Sequence, residues 1–334
     1  MAKSPALVAR GLSHAYAGGV NALAGVDLEV AGGECLAIIG ANGSGKSTLL
    51  KAFSGTLAPS VGTATVLGAA AGGTSRGKVS YLAQAAALDP EMTVAETLGL
   101  FATFHAAGQG DRRDWTGLVA CSFGLESAMP KRVDACSGGL RQRLHLALGF
   151  FPAAEVFLLD EPTQGLDPEG RDAFWGMLKS RTEAGGAALL VMHDMAEAES
   201  KCARIIVMAE GRIAAAGAPS DLIRMHGACT WSAELGRPPV DSQAWTRKFL
   251  DEPGVVSASA GPTRINLRLA PDGPDDTRLC ALSEGLGASV SAYTRRRPDL
   301  LSVFQAFSSA ESSGSSADGR RAGTGNGRNR GKRG

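Results

Sequence analysis

Cys35-Leu-Ala-Ile-Ile-Gly40-Ala-Asn-Gly-Ser-Gly-Lys46-Ser47 carries an apolar run straight into a glycine-rich turn that ends in Lys-Ser. The run reads as a buried strand, and a helix follows from near Lys46, so the turn sits between strand and helix. It satisfies the full phosphate-loop pattern G-x-x-x-x-G-K-[ST] in the context that gives the pattern its meaning. Glycines let the backbone curl until successive N–H groups point at phosphate oxygens, and the helix start adds the positive end of its dipole. The candidate ligand-binding residues here are Gly40, Ala41, Asn42, Gly43, Ser44, Gly45, Lys46, Ser47 and Thr48. Lys46 supplies a cation for the β- and γ-phosphates, and Ser47 a hydroxyl for Mg²⁺.

Working outward, two further stretches carry the same chemistry. Val156-Phe-Leu-Leu-Asp160-Glu161 is an apolar strand ending in two acids. Asp160, held at the strand end, suits the Mg²⁺ shell, and Glu161 suits the polarisation of an attacking water. Ahead of it, Cys136-Ser137-Gly138-Gly139-Leu140-Arg141-Gln142-Arg143 opens a helix, and Ser-Gly-Gly at a helix start exposes N–H donors for an anion.

Around these motifs, short branched apolar runs (LEV near Leu28, GTATVLG, VSYLAQ, AALLVM, RIIVM, GRIAAAG) alternate with helical segments. That alternation predicts an α/β domain. Between Thr93 and Arg132 two helical patterns occur with no strand, which reads as a helical insertion. Beyond Gly227 the order becomes βαββαβ, matching a small α+β ferredoxin-like unit, followed by the amphipathic helix DLLSVFQAF. From Ser308 the chain is Ser/Gly/Arg-rich and is expected to be disordered.

The Ser-Gly-Gly helix start lying between the phosphate loop and the acidic pair makes residues 4–226 resemble the ATP-binding cassette (ABC) family. The resemblance implies a P-loop NTPase domain with a helical subdomain at about 93–150; by the pattern and composition above, the ferredoxin-like unit then spans 227–307 and the basic tail 308–334. It also implies roles: Tyr16 stacks on adenine, Gln84 touches Mg²⁺ and reports to a membrane subunit, Asp167 lies in a loop that crosses a dimer, and His193 contacts the γ-phosphate. Lys46, Gln84, Glu161 and His193 are then the catalytic set, and Ser47, Gln84 and Asp160 the Mg²⁺ set. Two such chains pair head to tail, so each ATP lies between the phosphate loop of one copy and Ser137, Gly138 and Gly139 of the other. Cys136 stands where the family usually has Leu, and Leu140 where many branches have Gln. An apolar residue after Ser-Gly-Gly and the ending RRRPDLLSVFQAF are similar to the drug-resistance, type-2 exporter branch. The implied function is ATP hydrolysis that drives a separately encoded multi-span permease, with export favoured over import and over a soluble cassette acting on ribosomes or DNA. The implied location is the cytoplasmic face of a membrane, reached through the permease.

Composition narrows the alternatives. The 334 residues carry 34 Lys+Arg against 33 Asp+Glu, and the six basic residues beyond Ser308 account for the small excess. The body is therefore slightly acidic and nucleic acid is not an expected partner. Leu144 to Leu159 is broken by His145, Pro152 and Glu155, short of the roughly 18 apolar residues a span requires. The N-terminus lacks the apolar core of a secretory signal. Six scattered cysteines without a CxxC pair fit reduced thiols rather than a zinc site.

Overall fold

The computed structural model describes residues 5–84, 87–105, 109–238 and 241–314. Its elements run β1 (Pro5–Ala15), β2 (Asn21–Ala31), β3 (Cys35–Gly40), α1 (Lys46–Ser54), β4 (Val61–Val66), β5 (Ala69–Ala70), β6 (Val79–Leu82), α2 (Val94–His105), α3 (Gln109–Ser122), α4 (Gly138–Gly149), β7 (Val156–Asp160) and α5 (Pro168–Glu183). They continue as β8 (Ala187–Val191), α6 (Met195–Lys201), β9 (Arg204–Ala209), β10 (Arg212–Gly217), α7 (Pro219–His226), β11 (Cys229–Arg237), α8 (Ser242–Leu250), β12 (Val255–Ala260), β13 (Arg264–Leu269), α9 (Asp276–Gly285), β14 (Ser289–Arg296) and α10 (Leu300–Gly314).

The central sheet has the order β10-β9-β3-β8-β7-β6, parallel except for the β9–β10 edge. Strands buried on both faces need no polar alternation, which is why β3, β7 and β8 read as continuous apolar runs. Their side chains divide by parity. Leu36, Ile38 and Leu158 face α1 and the antiparallel sheet β2-β1-β4-β5, whereas Ala37, Ile39, Phe157 and Leu159 face the cluster under the helices. Leu49, Leu50 and Phe53 wedge α1 between the two sheets, so the turn that precedes it is anchored from both sides.

The third sheet, β12-β13-β11-β14, is wholly antiparallel, and Trp231, Ile265, Leu267 and Leu269 pack on one of its faces with Trp245, Phe249 and Leu279 of α8 and α9. Two expectations change at the C-terminal end. The sequence places 227–307 in one unit, yet the apolar side of α10 packs elsewhere: Leu300 and Val303 are buried in the cluster that holds Ile205 and Val207 of β9. The amphipathic helix finds its apolar partner on the nucleotide-loop domain rather than on a small sheet whose one apolar face is already covered. Disorder is expected from Ser308, yet α10 continues to Gly314; the remainder of that basic tail lies outside the described residues. Strand β1 and helix α6 have no counterpart in the sequence reading. In β1 the alternation is interrupted by register shifts around Gly11, whose φ is +53°, and α6 has only seven residues. All six cysteines are free thiols.

Candidate functional site: a phosphate-loop cleft

Sterics dictate the turn between β3 and α1. A Cβ on Gly40 would lie 2.4 Å from the Met208 carbonyl, and one on Gly45, at φ +101°, would lie 2.2 Å from that of Ala22. Only glycine fits either position. No side chain caps α1, so its first-turn amides remain directed at the cleft. Lys46 is buried and bends back over the turn, donating to Gly40 O at 2.9 Å and Ala41 O at 2.7 Å. Ser44 Oγ is buried without a partner among the described residues. Inward amides, a folded-over ammonium and an orphan hydroxyl form a donor set suited to a polyphosphate.

At the end of β7 the chain turns sharply, with Glu161 at φ +53° and its amide tied to Val191 O at 3.0 Å. A non-glycine residue in this region costs energy, and here it aims the carboxylate at the cleft. That carboxylate accepts from His193 Nε2 at 2.7 Å and Gln84 Nε2 at 3.0 Å. Gln84 also donates to Gln164 Oε1 at 3.3 Å, so Gln164 is a contributor that the sequence reading missed. Asp160 is buried beside Tyr81, whose phenol is pushed up in pKa first by burial and then by the Asp160 and Tyr16 charges. The hydroxyl of Tyr16 lies 3.3 Å from Thr48 Oγ1, and its ring, 40% exposed, stands edge-on to His14 at the mouth.

An open cleft of about 320 Å³ is thus lined by Tyr16, Asn42, Gly43, Gly45, Lys46, Ser47, Thr48, Gln84, Glu161 and His193. Val20 and Ala22 join the lining without any sequence signal. Eight predicted contributors are not among the lining residues: Gly40, Ala41 and Ser44 at the same turn, Asp160 at the end of β7, and Ser137, Gly138, Gly139 and Asp167. Ser137 caps α4 by accepting from the Leu140 amide at 3.2 Å, and together with Gly138 it is exposed, with open space around both following glycines. Asp167 caps α5 through the Gly170 amide at 3.0 Å and takes a two-pronged contact from Nε and Nη2 of the buried Arg143. Arg143 holds the Asp167 carboxyl below the usual carboxylate range, the side-chain hydrogen bond being the largest cause. Arg143 also reaches Glu169 and the Phe123 carbonyl, which makes it the clamp between α4 and α5.

Comparison with known proteins agrees with this geometry. The family described as "ABC transporter" matches residues 23–164. The Nod factor export ATP-binding protein I of Paraburkholderia xenovorans (strain LB400) is 37% identical over 219 residues, 65% of this chain and 72% of that protein. The chain belongs to the ABC transporter ATP-binding family. A protein of the same description from Burkholderia thailandensis is 36% identical to this ABC subunit over 253 residues, 73% of this chain and 83% of the relative. Among solved structures, an ATP-binding subunit of an ABC transporter superposes with a TM-score of 0.61 at 29% identity, covering 65% of this chain and 92% of its own. A dimeric, post-hydrolysis cassette bound to ADP and Pi gives 0.58 at 25% identity, with coverages of 64% and 98%. This ABC subunit is accordingly an ATP-binding, ATP-hydrolysing protein. Among its described residues, no helix is long and apolar enough to cross a membrane.

Proposed function

We propose that this ABC ATPase powers export through a separately encoded multi-span permease, working as a pair of copies that close on two ATP molecules. The observation that carries this reading is the separation within one chain of the cleft and the Ser137-Gly138-Gly139 helix start. Ser137 and Gly138 are exposed, Gly139 is half-buried and none of the three lines the cleft, so a second copy is the natural source of the missing wall. Exposed apolar side chains on α2 and α3, Leu100, Phe104 and Leu118, offer the helical insertion as the surface for the permease. Export follows the function for which the relatives are named and the similar C-terminal ending. In this reading 4–226 is the cassette, the third sheet with α8 and α9 is an accessory unit, and the chain lies at the cytoplasmic face through its permease.

The residue roles follow from the cleft. Lys46 exchanges its two loop carbonyls for the β- and γ-phosphates, and the amides of the turn and of α1 hold the rest of the chain of phosphates. Ser47, Asp160 and Gln84 supply the all-oxygen donors that Mg²⁺ prefers, and no cluster of three or more His, Cys, Asp or Glu among the described residues competes for a softer metal. Bound Mg²⁺ would neutralise phosphate charge. Glu161, oriented by His193 and Gln84, accepts the proton of the attacking water, and Tyr16 at the mouth stacks on adenine.

Affinity purification of the chain from its native membranes tests the reading. Recovery of a multi-span protein that stimulates ATP turnover is expected; recovery of ribosomes or DNA that survives high salt, without such a protein, overturns it.

A further inference from the structure

The face of the third sheet opposite Trp231 borders an open cavity of about 650 Å³, twice the size of the nucleotide cleft. Strand register arranges its side chains in two ranks. Ser257, Arg268, Thr230 and Arg296 form one, crossing β12, β13, β11 and β14 in that order. Ser259, Asn266, Ser232 and Thr294 form the next, with Ser232 Oγ donating to Asn266 Oδ1 at 2.8 Å. The first turn of α10 closes one side through Ser302, whose carbonyl accepts from Arg268 Nη2 at 2.8 Å.

The charge of this lining is unbalanced. Arg264 is neutralised by Glu234 at 3.1 Å, which leaves Arg268, Arg296 and Arg297 against the single carboxylate of Asp299. That carboxylate already accepts the Ser302 amide at 2.8 Å. Arg268 Nε is buried with no acceptor among the described residues, and burial pushes the guanidinium below its ordinary pKa. A partly buried cation with neither a carboxylate beside it nor an acceptor for one of its N–H groups is costly, and an anionic ligand supplies both.

We infer that this sheet face is a second ligand site, which takes a small soluble phosphate ester whose other groups are hydroxyls. A phosphate monoester carries about −1.5 to −2 charges, matching the excess of two on the lining. Arg268 and Arg296 lie one strand to either side of Thr230, about 4.8 Å each way, so their guanidinium groups can converge on one phosphate over the Thr230 hydroxyl. The rank of Ser, Asn and Thr beside them suits hydroxyls. The lining contains no aromatic ring on which a base could stack, which separates this site from the ATP cleft.

The test is calorimetric titration of the full chain with glucose 6-phosphate, with the nucleotide cleft filled by MgADP and with glucose as the uncharged control. One saturable site for glucose 6-phosphate and none for glucose is expected. Arg296 is exposed and makes no side-chain hydrogen bond or ion pair among the described residues, so R296Q should fold normally and bind about tenfold or more weakly, as should R268Q, while K46A binds unchanged. The inference is overturned by the absence of saturable binding, by equal affinity in R296Q and the parent, or by loss of binding in K46A. Binding confined to vesicles containing phosphatidic acid would also overturn it.

Discussion

Replacing Glu161 by Gln isolates the proton-accepting role of this carboxylate from its structural one. The amide has the same shape, and its oxygen still accepts from His193 Nε2, which contacts Oε1 at 2.7 Å in the parent. Its NH₂ then faces Gln84 Nε2, which sits 3.0 Å from Oε2, and two donors oppose each other. Gln84 is exposed and relieves this by turning its amide over; its contact to Gln164 at 3.3 Å is released in the process. The structural cost is therefore one exposed hydrogen bond, about 1 kcal/mol or less. Loss of the general base costs about 10²- to 10⁴-fold in turnover, or roughly 3 to 5.5 kcal/mol in the barrier. Glu161→Gln should consequently bind a fluorescent ATP analogue normally, unfold in urea within about 1 kcal/mol of the parent, release phosphate at about one per cent of the rate or less, and accumulate as an ATP-bound dimer in sizing experiments. Turnover within a few-fold of the parent would refute the assignment. A parallel loss of ATP binding would show that the residue holds the cleft together instead.

Three further outcomes follow from the same geometry. Lys46→Ala removes the buried ammonium that bridges Gly40 and Ala41, and should abolish ATP turnover and weaken nucleotide binding in the same fluorescence assay; unchanged turnover contradicts the site. Gly45→Ala drives a methyl into the Ala22 carbonyl at φ +101°, and urea unfolding should register a loss of about 3 kcal/mol; a stable, active variant would mean that the turn relaxes freely. Arg143→Met removes the clamp on Asp167 and should cost about 2 kcal/mol at pH 7. Asp167 has its folded pKa lowered by Arg143, so the pair stabilises fully above the unfolded value of about 3.9 and stops doing so as pH falls through the lower folded value. Because Asp167 is half exposed, this pH-dependent part is at most about 1 kcal/mol, and identical stability–pH slopes in the two proteins would sink it.

The phosphate loop was legible because its function and its fold use the same residues: the glycines that expose amides are the ones that Met208 and Ala22 permit. Asp160 and Glu161 were legible for a related reason, since an apolar strand that ends in two acids can place them only at the carboxyl end of the sheet. His193, Gln84 and Tyr16 were legible by family resemblance alone, because a lone His or Gln after a strand carries no local pattern. Arg143 and Gln164 escaped, as each acts through a partner 24 or 80 positions away in the chain.

The sequence by itself determined the strand–turn–helix of the phosphate-loop pattern, the parallel sheet around it and the βαββαβ order of the C-terminal unit, because these rest on local steric rules and on hydrophobic period. Tertiary structure alone decided that α10 returns to the nucleotide-loop domain. It also decided that Asp167 is engaged by Arg143, that Ser137 to Gly139 face outward, and that two ranks of polar side chains with uncompensated arginines share one sheet face. Each of these depends on which surface is left uncovered once the cores have formed, and on register between strands distant in sequence, quantities that no local window of residues contains.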